Sequence, residues 1–162
     1  MTVIVSLIIA LALFGVSFLS RRRFGVLGLA LTAGALLADY MTKDLSRLIS
    51  ENAIPVEPLS AISAASIFLT LLPAFVLLLS GPAYKKRKQA ITGAIAFTGM
   101  AMLLILGPLT SSLPPDRLME PFLNWVATYN SLLLAIAIGV AVTDVWMIHN
   151  LPSSDESKDK KK

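Results

Sequence analysis

The chain has no cysteine. Disulfides, thiolate metal sites, iron–sulfur clusters and cysteine nucleophiles are therefore excluded. It has a single histidine, His149, which cannot by itself build a bis-histidine haem site or a typical zinc site. No glycine-rich phosphate loop is present, and no Ser/His/Asp or paired-glutamate set faces one compartment. Charged residues make up only 15% of the 162 positions. The basic stretches lack interleaved aromatics, which argues against nucleic-acid binding. The sequence thus predicts no catalytic residue, no cofactor and no metal centre.

Apolar residues take the place of what is missing. They form 56% of the chain, and the mean hydropathy is +0.75. A soluble domain is about 45–50% apolar, so the clustering of these residues decides more than their number. They fall in long runs that so small a chain could not bury in a water-soluble core. A hydrocarbon core of about 30 Å needs about 20 helical residues. Five runs meet that length, at residues 2–20, 24–40, 59–81, 90–113 and 123–148. The expected fold is all-α: an integral membrane bundle of five transmembrane helices over residues 1–151, followed by a disordered, serine-rich and highly charged tail, 152–162.

Charge order sets the expected orientation. Arg21, Arg22 and Arg23 follow the first run instead of preceding it, which favours an uncleaved anchor over a signal peptide. Basic clusters recur at Lys85–Lys88 and at Lys158 and Lys160–Lys162. The connections between them are mixed or acidic: Lys43, Asp44, Arg47, Glu51 and Glu57 in one, Asp116, Arg117 and Glu120 in the other. The positive-inside rule then gives an outside N-terminus and a cytoplasmic tail. The expected location is the plasma (inner) membrane, crossed several times. Trp125 and Tyr129 near one end of the last span, and Trp146 near the other, fit interfacial belts.

The short Arg21–Arg23 connection predicts an antiparallel hairpin of spans one and two, and Ser80–Lys88 predicts another of spans three and four, with Pro82 stopping span three. Met41, Leu45, Leu48 and Ile49 recur at helical spacing opposite Lys43, Asp44 and Arg47, which reads as a short amphipathic helix at the outer interface. Pro55 and Pro58 end it. Pro114, Pro115 and Pro121 predict a rigid non-helical link. Small residues recur every fourth position: Ala30, Gly34 and Ala38 in span two, Ala90, Ala94 and Thr98 in span four, Ala135, Gly139 and Thr143 in span five. Such stripes let helix backbones approach. Packing inside the bundle is the plainer expectation, and a surface for another subunit the alternative.

Ionisable groups within a membrane are functional candidates, because placing a charge there costs at least about 2.5–3.5 kcal/mol. Asp144 is the candidate of span five. It reads either as a proton or cation site, or as an interfacial acid paired with a nearby base, and its shallow depth favours the second. His149, five residues on, is not on the same face. Asp39 reads as an interfacial acid. Asn130 adds polarity to the outer third of span five. Asn124, Thr128 and Ser131 share one face there and suit interhelical hydrogen bonds more than a polar cleft. Pro73 sits midway along span three, where a kink is the plainer reading and a broken binding helix the alternative.

The first hairpin, with a short span, then Arg21-Arg22-Arg23-Phe24-Gly25, then a second span rich in small residues, resembles the colicin V production protein family of small bacterial inner-membrane proteins. The likeness continues through a third span and a fourth beginning near Gly93. Leu27 and Gly28 stand where that family usually carries arginine and glutamate. The resemblance implies a role in secretion or envelope maintenance and carries over no catalytic residue. The expected function is a non-enzymatic accessory or structural subunit of a membrane complex, or an envelope protein. Its expected partners are membrane lipids and other membrane subunits or itself. The alternatives are a small transporter or channel using Asp144 and the Pro73 kink, and, behind it, a membrane enzyme acting on lipid.

Overall fold

The computed structural model describes residues 2–52, 54–57, 59–80, 84, 87–113 and 120–149. Pro58, Pro82, Lys85, Lys86, the Pro114–Pro115 link and the 152–162 tail lie outside them. Five helices follow one another: α1 (Thr2–Ser20), α2 (Phe24–Glu51), α3 (Ala61–Ser80), α4 (Arg87–Ser112) and α5 (Glu120–His149). Each is long and apolar enough to cross a membrane. Consecutive helices alternate in direction. The ends of α1, α3 and α5 therefore gather with the starts of α2 and α4, and we call this the basic end.

Helices α2, α3 and α4 touch one another and form the centre. Helix α1 lies on α4 and α3, and α5 lies on α2 and α4. The core runs through Leu13, Phe24, Leu27, Leu31, Phe97, Met100, Ile105 and Leu109. Burial follows position: 44% of the apolar window is buried in α2 and in α4, 17% in α1 and 11% in α5. Large apolar side chains such as Ile4, Leu19, Leu79, Ile136 and Trp146 point outward. An apolar exterior of this kind is compatible with a multi-pass membrane protein.

The tightest approach joins α2 to α3. Ala30, Gly34 and Ala38 are all buried. A Cβ built at Gly34 would run into the carbonyls of Thr70 and Leu69. Pro73 lacks an amide hydrogen, so the Leu69 carbonyl has no donor one turn on in its own helix. The helix nonetheless continues through Pro73 from Ala61 to Ser80. Pro108 is likewise contained within α4. The Ala90, Ala94 and Thr98 stripe also faces inward, with Ala90 and Ala94 buried.

Four expectations are corrected. Spans one and two form no packed hairpin: among the described residues α1 does not touch α2. Arg21 takes a left-handed conformation at φ 50, and the turn is tied to the end of α3 instead. Arg22 Nε donates to the Leu78 carbonyl at 3.0 Å and Nη2 to that of Leu79 at 2.8 Å. This leaves α1 directed onto α4.

The separate amphipathic helix does not exist, because α2 continues unbroken to Glu51. Nothing between Tyr40 and Asn52 is proline or glycine, so no residue interrupts the backbone ladder. Asn52 closes the helix, its amide donating to the Leu48 carbonyl at 3.1 Å. Arg47 and Glu51 add an exposed ion pair at 2.7 Å, of the kind that contributes about 0.3–0.5 kcal/mol.

Pro121 is helical, in the first turn of α5, where a missing amide hydrogen costs nothing. Finally, Ala135, Gly139 and Thr143 do not pack inside the bundle. All three are exposed, and a Cβ at Gly139 would meet nothing within 4 Å. Helix α5 is held by its other face, through the buried Val126 and Ala141.

Candidate functional site

The basic end is built around the start of α2. The first amides of a helix have no partner within it. Arg23 occupies the cap position, and its side chain makes no capping bond. Helix α5 supplies the acceptor instead. Asp144, about one and a half turns from the end of α5, accepts the Gly25 amide on Oδ2 at 2.8 Å. The Tyr84 hydroxyl accepts the Phe24 amide at 3.1 Å and donates to the same Oδ2 at 3.3 Å.

Glycine is required at position 25 by this geometry. A Cβ there would lie 2.6 Å from the Ala141 carbonyl and 2.9 Å from Asp144 Oδ2. Gly93 plays a similar part beneath Tyr84, where a Cβ would come 2.5 Å from the ring. The Tyr84 amide donates to the Arg21 carbonyl at 2.7 Å, and the Arg23 guanidinium lies over the ring, 5.6 Å from its centroid. A carboxylate thus meets the positive end of α2 while Arg22 meets the negative end of α3. Each such placement contributes about 0.3–1 kcal/mol, and up to about 2 in partly buried geometry. Burial pushes the Tyr84 hydroxyl above its ordinary value, and the Asp144 charge adds to this. The Phe24 amide and Arg23 oppose it.

A cavity of about 360 Å³ opens beside this cap, between α4 and α5. Lys88, Gln89 and Thr92 line one side and Thr143, Asp144 and Met147 the other. A second cavity of about 370 Å³ lies toward the opposite end of the same seam, lined by Thr110, Asn124 and Asn130 among apolar residues. Asn130 Oδ1 is buried there without a hydrogen-bond partner. A third, about 620 Å³ and almost wholly apolar, lies along α3 and reaches Val16 of α1.

The structure therefore separates the candidates read from the sequence. Asn130 and Asp144 are 14 residues apart on α5, about 21 Å along the axis, and line different cavities. Asp144 and Pro73 do not meet, since α3 and α5 make no contact among the described residues. Asp39 is exposed. Thr128 makes no interhelical bond; its hydroxyl donates to the Asn124 carbonyl one turn earlier at 2.8 Å. Asn124, expected on the interhelical face, lines the second cavity. His149 ends α5.

Tyr84 and Gly25 were not legible as site residues. A partial signal existed, in a helix start carrying arginine instead of serine, threonine, aspartate or asparagine at the cap. At the opposite end Ser60 is a true cap, its hydroxyl accepting the Ser63 amide at 3.2 Å. It also joins Ser63, Ser111 and Ser112 in one hydroxyl cluster.

Among the described residues no three histidine, cysteine, aspartate or glutamate side chains are grouped to hold a metal ion. The arrangement around Asp144 can hold charge and accept hydrogen bonds. Among the described lining residues Asp144 is the sole carboxylate, accompanied by the Lys88 amine and the hydroxyls of Tyr84, Thr92 and Thr143. Compared with protein-family models, curated proteins and solved structures, the chain matches none of them.

Proposed function

We propose that this chain is a non-enzymatic, multi-pass membrane protein that acts as an accessory or structural subunit of a membrane complex and receives its partner on α5. The basic end lies in the cytoplasm and the N-terminus outside, in keeping with the positive-inside rule. The bacterial inner membrane is the proposed location, and a role in secretion or envelope maintenance agrees with the colicin V production resemblance.

One observation carries the reading. Ala135, Gly139 and Thr143 form a small-residue stripe on the exposed face of the least buried helix. Glycine in a helix interior costs about 1 kcal/mol relative to alanine. In lipid, such a stripe gains its use from the close approach of another helix, and among the described residues nothing comes within 4 Å of a Cβ placed at Gly139. The transporter reading is less well supported, because α3 is continuous through Pro73 and Asp144 is engaged in capping α2.

The test uses the full-length chain with a C-terminal tag, extracted in mild detergent. A stoichiometric membrane partner should be recovered by mass spectrometry. Since the chain has no cysteine, Ala135→Cys gives a single crosslinking site, and it should capture that partner. Gly139→Leu should abolish recovery while leaving thermal stability unchanged. A lone monomer with no crosslink from position 135 would refute the proposal.

A further inference from the structure

We propose that the cavity at the basic end between α4 and α5 binds the headgroup of a zwitterionic aminophospholipid, of the phosphoethanolamine class. The inference rests on the reading of the chain as membrane-embedded. The volume, about 360 Å³, falls in the range of about 300–1,000 Å³ typical of small-molecule sites. Among the described residues its lining carries one charge of each sign, Lys88 from α4 and Asp144 from α5. A purely anionic headgroup would face the Asp144 carboxylate. A simple cation would face Lys88 and the neighbouring arginines. A ligand bearing both a phosphate and a primary ammonium satisfies both walls at once.

The remaining lining fits the same ligand. Both bonds that Asp144 accepts at the α2 cap converge on Oδ2, and among the described residues Oδ1 takes no part in the cap, which suits it to accept from an ammonium. Phe24 and Tyr84 add aromatic surface, to which a cation is attracted. Gln89 adds an amide donor for phosphate oxygens. Ala96, Val140 and Met147 make the wall apolar where a glycerol backbone would pass.

The cavity also has a route to the bilayer. Helices α4 and α5 meet only loosely, each being held chiefly by other neighbours. The two helices expose Ile95, Ile136 and Val140, so an acyl chain can lie outside the bundle while its headgroup enters from the side. A free phosphoethanolamine would gain nothing from this apolar surface, which commits the site to a lipid.

The experiment is native mass spectrometry of the full chain released from nanodiscs holding equal amounts of phosphatidylethanolamine, phosphatidylcholine and phosphatidylglycerol. The wild type should retain one phosphatidylethanolamine about tenfold over either competitor. Asp144→Asn should reduce its preference over phosphatidylglycerol to below about twofold. Lys88→Gln, at an exposed position with no role in the cap, should lower retention several-fold without shifting the unfolding temperature. It keeps the test decisive if the aspartate variant misfolds. Millimolar free phosphoethanolamine should not displace the lipid. Equal retention of all three lipids by the wild type, unchanged retention in the lysine variant, or displacement by the free headgroup would overturn the proposal. Alkaline carbonate extraction separates the two readings. A chain that stays with the membrane but shows no preference loses only the lipid site, whereas a chain released to the supernatant loses both.

Discussion

Gly34 of α2 faces the Thr70 carbonyl of α3 so closely that no side chain fits between them. Replacing Gly34 with alanine must therefore push the two helices apart at the centre of the bundle. Overpacking of this kind costs about 1–3 kcal/mol. Gly139→Ala is the control, since a methyl there meets nothing and alanine favours the helix by about 1 kcal/mol. Thermal unfolding in mild detergent should show the first variant destabilised and the second unchanged or stabilised. Equal shifts would contradict the close α2–α3 approach.

The cap on α2 gives a graded series. Asp144→Ala leaves the Gly25 amide without its acceptor, a loss of about 1–3 kcal/mol. Asp144→Asn keeps an oxygen in place and should lose less than half of that. Gly25→Ala should be as damaging as Asp144→Ala, because its methyl would strike the Ala141 carbonyl and the carboxylate. Hydrogen exchange at the first turn of α2 should rise in the same order. Were the asparagine variant as exposed as the alanine one, hydrogen bonding through this side chain would not be what holds the turn.

Tyr84 makes stability depend on alkaline pH. The folded protein holds its phenolic proton more tightly than the unfolded chain, because burial and then the Asp144 charge raise it above the ordinary value of 10.0. This contribution is fully present below pH 10.0 and is lost as pH rises through the folded value. Tyr84→Phe should be destabilised by about 1–3 kcal/mol at neutral pH, since the Phe24 amide loses its acceptor. The gap between the two proteins should narrow above pH 10.0 and stay constant from pH 6 to about 9. A gap that widens with pH would reverse the sign assigned here.

Two groups of serines should behave oppositely. Ser6 and Ser17 are buried on α1 with hydroxyls that find no partner among the described residues. Ser17→Ala removes an unsatisfied group and should leave stability unchanged or raise it by up to about 1 kcal/mol. Ser60→Ala removes both a helix cap and a member of the hydroxyl cluster, and should cost about 0.5–2 kcal/mol. Denaturant titrations of the two variants side by side decide the matter.

The helices were legible because an apolar run long enough to span is a local property of the sequence. The boundaries read for α3, α4 and α5 lie within about three residues of those observed, the usual scatter for helix ends. The extension of α2 was hidden by its change of character at Tyr40, where an apolar run becomes amphipathic while the backbone continues unaltered. The stripes could be found but not aimed. Gly34 and Gly139 sit in the same pattern, and only the arrangement of neighbouring helices sends one inward and the other out. Asp144 was found by its charge, while the partners it has among the described residues are an amide and a phenol hydroxyl. A backbone amide has no signature in a sequence, so that pairing could not be read there.

The separation of α1 from α2 bears on how the chain is made. Helix α1 leaves the ribosome first, yet the surfaces that receive it belong to α3 and α4. Roughly ninety residues separate the end of α1 from the end of α4, which at about 5–20 residues per second is a delay of about 5–20 seconds. Throughout that interval α1 has to persist as a solitary helix. Its uninterrupted apolar sequence, free of any charged residue from Thr2 to Ser20, would under the proposed membrane reading let it wait in lipid with its own backbone bonds satisfied. Helix α1 is thus made well before the helices that seat it, and a ribosome stalled before α4 would leave its apolar surface uncovered by this chain.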